Sequence, residues 1–213
     1  MEPNIASVSR SVTEKPKLVI ILSGKRKSGK DHVSTLILNH IGEKANRYVA
    51  ILRIAGPIKE EFARNNKLDF IKLLDSSDYK ENYRKAMVQW SEEYRKREGW
   101  NCFLKQAIKE QKAEEKLIWI LNDARRTYDI DYFNDEVGAK IIKLRIEASD
   151  EVRAGRGWQF IEGIDDQDTE CGLDSYESWT YIIGNNTNDE KKLLAKSLEP
   201  VLKEIDTILG GIE

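Results

Sequence analysis

Nine residues near the amino terminus, Ser23-Gly-Lys-Arg-Lys-Ser-Gly-Lys-Asp31, have the composition of a phosphate cradle. Gly24 and Gly29 let the backbone turn tightly and aim its N–H groups inward, with Ser28 between them. Lys30 follows at the place where a lysine meets phosphate oxygens. Lys25, Arg26, Lys27 and Lys30 put four cations within six residues. Asp31 stands where a Ser or Thr hydroxyl usually meets Mg²⁺. It is therefore a candidate to organise a metal, and capping of the following helix is the alternative.

Further cations recur in separate islands. Arg125 and Arg126 are adjacent and follow the apolar run Leu117–Leu121 through Asn122 and Asp123. In a chain with a phosphate loop, an acid after a buried strand is the place for a second Mg²⁺-organising carboxylate; a plain helix cap would need the same residue. Arg84 and Arg95 are eleven apart and share a helix face, as a binding pair or as solvated surface. Arg153 and Arg156 are interleaved with Gly155 and Gly157, so they could swing onto phosphates as a loop shuts, or remain solvated.

Such a set suits phosphoryl transfer, which consists mainly of aligning two anions and neutralising moving charge. Arginine forks grip phosphate bidentately and stay charged. No Ser-His or Cys-His arrangement is readable, and neither His32 nor His40 is placed as a base. A phosphate acceptor would need none, because its second pKa is ~6 and its oxygen is already anionic at pH 7. Water must be excluded, so a closing lid is expected.

The elements that must position these residues follow from periodicity. Lys17–Leu22 reads as a buried strand, and Val33, Leu36, Ile37 and Ile41 mark a helix stopping at Gly42. Tyr48–Ile54, Leu117–Leu121, Lys140–Ile146 and Trp179–Ile183 are the other expected strands. Pro57 should open a helix containing Lys59, in a strand-free region over about 57–115. There Asp78 and Glu81 form a capping box, and Tyr83, Met87, Trp90 and Tyr94 form a core stripe. Residues 150–174 lack a periodic pattern and read as a lid or disordered loop. Leu194, Leu198, Val201, Ile205 and Ile208 outline a last helix. Alternating strands and helices imply an α/β fold with a mainly parallel sheet.

Bulk properties narrow the partners. With 213 residues, a net charge of −2 and 34% charged residues, one domain is expected and no bulk field draws nucleic acid or membrane. Two cysteines give no disulfide framework and no run approaches a membrane span, so a cytoplasmic location is expected. Residues 1–16 read as a disordered tail.

The chain resembles the animal-type phosphomevalonate kinases. The resemblance rests on Ser23–Asp31 with its Asp31, Gly56-Pro57-Ile58-Lys59-Glu60, Leu73-Leu74-Asp75, Tyr79-Lys80-Glu81 and Trp90 with Glu92-Glu93. It continues through Asp123 with Arg125-Arg126, Arg156-Gly157-Trp158, Asp165-Asp166 and Glu170-Cys171-Gly172-Leu173-Asp174. It implies a three-layer P-loop kinase fold over 17–213: a parallel five-stranded sheet with helices on both faces, an acceptor-binding helical insertion at about 57–115 and a mobile lid at about 148–174. It also implies transfer from ATP, with Mg²⁺, to 5-phosphomevalonate in a monomer. By position, Gly24, Lys25, Arg26, Lys27, Ser28, Gly29, Lys30, Asp31 and Asn185 would hold the nucleotide. Lys30, Arg26, Lys27, Asp31 and Arg125 would act in catalysis, Arg26 and Lys27 bridging donor and acceptor. Lys59, Arg84, Arg95, Arg125, Arg126, Arg153, Arg156 and Asn186 fall on the substrate side, and Asp31 and Asp123 on the metal. Another small P-loop kinase, such as a nucleoside monophosphate kinase, and a non-catalytic nucleotide-binding module are the rival readings.

Overall fold

The strand expected ahead of the glycine loop, β1 (Leu18–Ser23), is buried from end to end. Its side chains divide between two cores: Leu18, Ile20 and Leu22 join one cluster, Val19 and Ile21 another. That division is the two-residue period of a strand covered on both faces. The computed structural model describes residues 16–211, apart from 75–77, 188, 190, 191 and 193–196. The expected tail (1–15) and the Leu194 position lie outside the described residues, as do those just before Asp78.

After β1 come α1 (Lys30–Ile41), a 3₁₀ turn (Gly42–Lys44), α2 (Ala45–Tyr48) and β2 (Val49–Leu52). The strand-free region then holds α3 (Ala55–Asn66), α4 (Phe70–Leu74), α5 (Asp78–Glu98), α6 (Cys102–Glu110) and a second 3₁₀ turn (Ala113–Glu115). The chain continues with β3 (Ile118–Ala124), α7 (Thr127–Glu136), β4 (Lys140–Glu147), α8 (Asp150–Gly155) and α9 (Asp168–Cys171). It ends with β5 (Tyr181–Gly184) and α10 (Glu199–Gly210).

The five strands pair in the order β2-β3-β1-β4-β5, all parallel. Val33, Leu36 and Ile37 of α1 and Val201 and Ile205 of α10 cover one face of the sheet. Phe103 and Leu104 of α6 and Ile130 and Phe133 of α7 cover the other. This is the expected three-layer α/β arrangement. Because β1 lies between β3 and β4, the chain leaves its carboxyl end at the point where strand order reverses, where open sheets form their ligand crevice. Ser23 is in register with Ala124 on one side and Arg145 on the other. The glycine loop, Arg125 and the end of β4 therefore meet at one rim.

The helical region has its own small core of Phe62, Ala63, Leu73 and Met87, against which Tyr83 and Trp90 pack. Tyr94 stacks on Phe103 at 5.0 Å between ring centroids. The aromatic stripe is thus core, as its spacing predicts.

Several elements differ from expectation: β2 stops at Leu52, short of Ile54, and β5 begins at Tyr181 instead of Trp179. β3 runs on through Asn122 and Asp123 to Ala124, two polar residues that an apolar-run criterion stops short of. α3 begins at Ala55 instead of Pro57, because the Asp123 carboxylate accepts the N–H groups of Ile54 and Ala55 at 2.8 and 2.9 Å. Residues 150–174, patternless in sequence, contain α8 and α9. Ser149 caps α8 by accepting the Val152 N–H, and α9 is held by the ion pairs described below.

Ile20 is fully buried in the central strand. Ile20→Ala should lower unfolding free energy by about 2–5 kcal/mol, read by urea denaturation. A change below about 1 kcal/mol would show that β1 is not the packing centre.

Candidate active site

The loop between β1 and α1 is shaped by two close approaches. Gly29 caps α1 at φ 92°, and a methyl group there would overlap Nδ2 of Asn185. At Gly24 it would lie 2.5 Å from the Ile146 carbonyl oxygen and 2.5 Å from Ser28 Oγ. Lys27 also takes a left-handed φ, 61°. The first N–H groups of α1 have no partner within the helix, and with the dipole they form an anion seat.

The loop's carbonyl oxygens are bound from the other side. Asn185 Nδ2 donates to Ser28 O at 2.9 Å. Arg156 donates through Nη1 to Ser28 O and Lys27 O at 3.1 and 3.3 Å, and through Nη2 to Asn185 O at 2.9 Å. Arg153 Nε donates to Arg26 O at 2.9 Å, with its guanidinium 3.8 Å from the centre of the Trp158 ring. Both arginines therefore brace the loop backbone. Fixing the carbonyls outward fixes the peptide planes, which preorganises the N–H groups for phosphate.

On one side of the loop opens a cavity of about 570 Å³. It joins Lys30 and Asp31 to Arg125 and Arg126, and these to Lys59, Arg84 and Arg95 from the helical region. Arg84 pairs with Glu81 at 2.9 Å, and Arg126 pairs with Glu92. Arg95 is almost wholly buried and donates to the Tyr128 hydroxyl at 2.6 Å. Its Nε is buried without a partner, an unspent donor at the cavity's edge. On the other side is a cavity of about 420 Å³ beside Lys25, Ser28 and Asn186. Asn186, whose Oδ1 accepts the Ser149 N–H at 2.8 Å, thus lines a cavity with Arg145 and Arg153 and not the one that holds Arg84, Arg95, Arg125 and Arg126. Lys27 is exposed.

Three acids missing from the sequence-derived set prove central. Asp174 pairs with Lys25 at 2.6 Å, Asp165 with Arg26 at 2.9 Å and Glu170 with Arg125 at 2.9 Å. Arg145, buried on β4, donates to Asp174 at 2.7 Å and to Ser23 Oγ at 3.2 Å. The available signal was charge balance: a loop so rich in cations needs nearby carboxylates, and 165–174 is the acidic stretch.

Burial, and then the positive charge of Arg125, push the pKa of Lys30 down to about 8. Burial and Lys80 likewise lower that of Lys59, Asp123 opposing them. Tyr128 is pushed up to about 12 by burial, so the hydroxyl that accepts from Arg95 stays neutral at physiological pH.

For Mg²⁺, Asp31 fits. One of its oxygens accepts from Asn122 Nδ2 at 2.9 Å, while Asn122 Oδ1 is buried without a partner beside it. Among the described residues no cluster of three or more His, Cys, Asp or Glu side chains could hold a metal by itself. Mg²⁺ commonly takes one or two carboxylates and completes its shell with phosphate and water. Both Asp123 oxygens already accept from the start of α3.

A glycine loop at the switch point of a parallel sheet, opening on an arginine-lined cavity, defines a P-loop kinase-like site. Residues 22–139 match the family described as phosphomevalonate kinase. Over 171 residues the chain is 39% identical to the phosphomevalonate kinase of Drosophila melanogaster, covering 79% of this chain and 88% of that one. The chain belongs to the phosphomevalonate kinase family. Among solved structures, TT1252 from Thermus thermophilus shares the fold at a TM-score of 0.50 and 17% identity, over 90% of this chain and 98% of that one.

Gly29→Ala should weaken ATP binding by about tenfold or more, since a left-handed alanine costs about 1–3 kcal/mol before the clash with Asn185 is counted. Calorimetric titration with ATP reads this; unchanged affinity would mean that the loop does not seat the phosphates.

Proposed function

We propose that this protein transfers the γ-phosphoryl group of ATP to 5-phosphomevalonate, giving ADP and 5-diphosphomevalonate. The observation that carries the reading is the single cavity joining Lys30 of the glycine loop to Arg125, Arg126 and Arg95. Donor and acceptor phosphates would meet there among cations whose mutual repulsion only anions relieve.

The remaining wall favours this acceptor over a nucleotide. Its apolar residues are Ile54, Ala55, Ile58, Leu74, Met87 and Val88, and none of the described residues that line it is aromatic. An aliphatic wall suits a branched five-carbon chain, whereas a base would gain from a ring to stack on. Lys59, Lys80 and Arg53 also line the cavity, and the first of these would meet the acceptor's carboxylate.

Lys30 would hold the β- and γ-phosphates, and Arg125 the phosphoryl group in flight. Arg95, Arg126 and Arg84 would fix the acceptor phosphate, and Asn186 would border the nucleotide. Mg²⁺, held by Asp31 with the phosphates, would supply neutralising charge. No histidine lines the cavity, and an acceptor that is already anionic requires no base. Among the described residues no helix is long and apolar enough to cross a membrane.

Coupled ADP release should be rapid with 5-phosphomevalonate and at background with AMP, CMP or UMP. Turnover of a nucleotide instead would establish the rival kinase. A melting shift with ATP but no turnover would establish a binding module. Lys30→Met should lower kcat by about 10²–10³-fold without loss of fold.

The pH dependence follows from Lys30. Its ammonium binds phosphate, and in the free protein it loses its proton around pH 8. The apparent Kd for ATP should be level below that pH and rise above it, approaching about tenfold per unit. Lys30→Arg should remove the break, because guanidinium stays charged.

A further inference from the structure

Glu170 is nearly fully buried, with 4% of its side chain exposed, yet it borders the cavity of the arginines. Its two oxygens serve different elements. Oε2 accepts the backbone N–H of Arg26, in the glycine loop, at 2.9 Å. Oε1 pairs with Nη1 of Arg125, at the end of β3, at 2.9 Å. The same Nη1 also donates to Thr169 O at 3.1 Å.

We propose that Glu170 is a positioning residue for phosphoryl transfer: one carboxylate that ties the glycine loop to Arg125 and so sets the separation of the donor and acceptor phosphates. The inference rests on the kinase reading given above. A guanidinium is a rigid plane of five N–H groups. Holding Nη1 at two points fixes the plane and aims its Nε and Nη2 edge. An ordinary structural ion pair would constrain Arg125 alone; this one also pins a loop amide on the donor side.

The carboxylate also shares its cavity with both Lys30 and Arg125. Its support is rigid. A side chain at Gly172 would come within 2.6 Å of Asp168 O and 3.0 Å of Arg125 O. Leu173 is buried in the core cluster of α6 and α7. Cys171 Sγ donates to Asp165 O at 3.2 Å. Those contacts hold the 165–174 segment against the turn after β3.

The test measures wild type first; wild type without turnover of 5-phosphomevalonate would overturn the kinase reading itself. Glu170→Gln keeps the shape and removes the charge. It should lower kcat by about 10- to 100-fold, the scale of a small misplacement of reacting groups. Both KM values should change by less than about threefold, and the melting temperature by a few degrees. Glu170→Asp, still charged but one methylene shorter, should also lose kcat, because it cannot reach both Arg26 N and Arg125 Nη1 at once. With Arg125→Met in the background, Glu170→Gln should cost less than about twofold more. Wild-type kcat in Glu170→Gln, an equal loss in both backgrounds, or loss of the cooperative melt would each overturn the proposal.

Discussion

Mutual repulsion among cations governs this molecule. A site that brings two polyanions together must gather guanidinium and ammonium groups in a partly desolvated cleft, where each disfavours its neighbours' charge. Lys30 carries the mark of it, its pKa pushed down to about 8 by burial and by Arg125. The folded chain manages the tension with carboxylates. Asp165, Glu170 and Asp174, all within one stretch, pair with Arg26, Arg125 and Lys25. Glu81 and Glu92 on α5 pair with Arg84 and Arg126. Each counter-ion keeps a cation extended and oriented, so that little side-chain ordering remains when phosphate arrives.

The sheet supplies the geometry. Parallel pairing of β1 with β3 and β4 brings the glycine loop beside the Arg125–Arg126 pair and Arg145, although a hundred residues or so separate them in sequence. The 150–174 segment then closes the back of the loop. Its arginines occupy carbonyl oxygens and its acids occupy cations, so this segment controls both the direction of the loop's amides and the charge around it. Arg153 and Arg156 are thus framework for the loop.

The two aspartates that the sequence offers for the metal take different work for reasons of backbone placement. Asp123, inside β3, spends both oxygens on the first N–H groups of α3 and thereby fixes the helical region that carries Lys59. Asp31, in the first turn of α1, accepts one amide bond and faces the cavity.

Strand and helix identities were legible in the chain because their signal is local. Leu18–Leu22 is uninterruptedly apolar, and Val33, Leu36 and Ile37 recur at helical spacing. The phosphate loop was legible for the same reason: two glycines and a lysine at fixed offsets dictate a backbone shape. Motif resemblance added the family. What the chain could not display was pairing across distance. Nothing local assigns Glu170 to Arg125, turns Arg156 toward Ser28 O, or buries Arg153 against Trp158. Those outcomes depend on which strand lies beside β1, and that is settled by packing both faces of the sheet at once. Composition and spacing determined that this protein binds phosphates; only the folded sheet decided which charges neutralise one another, because Coulomb forces act through space and not along sequence.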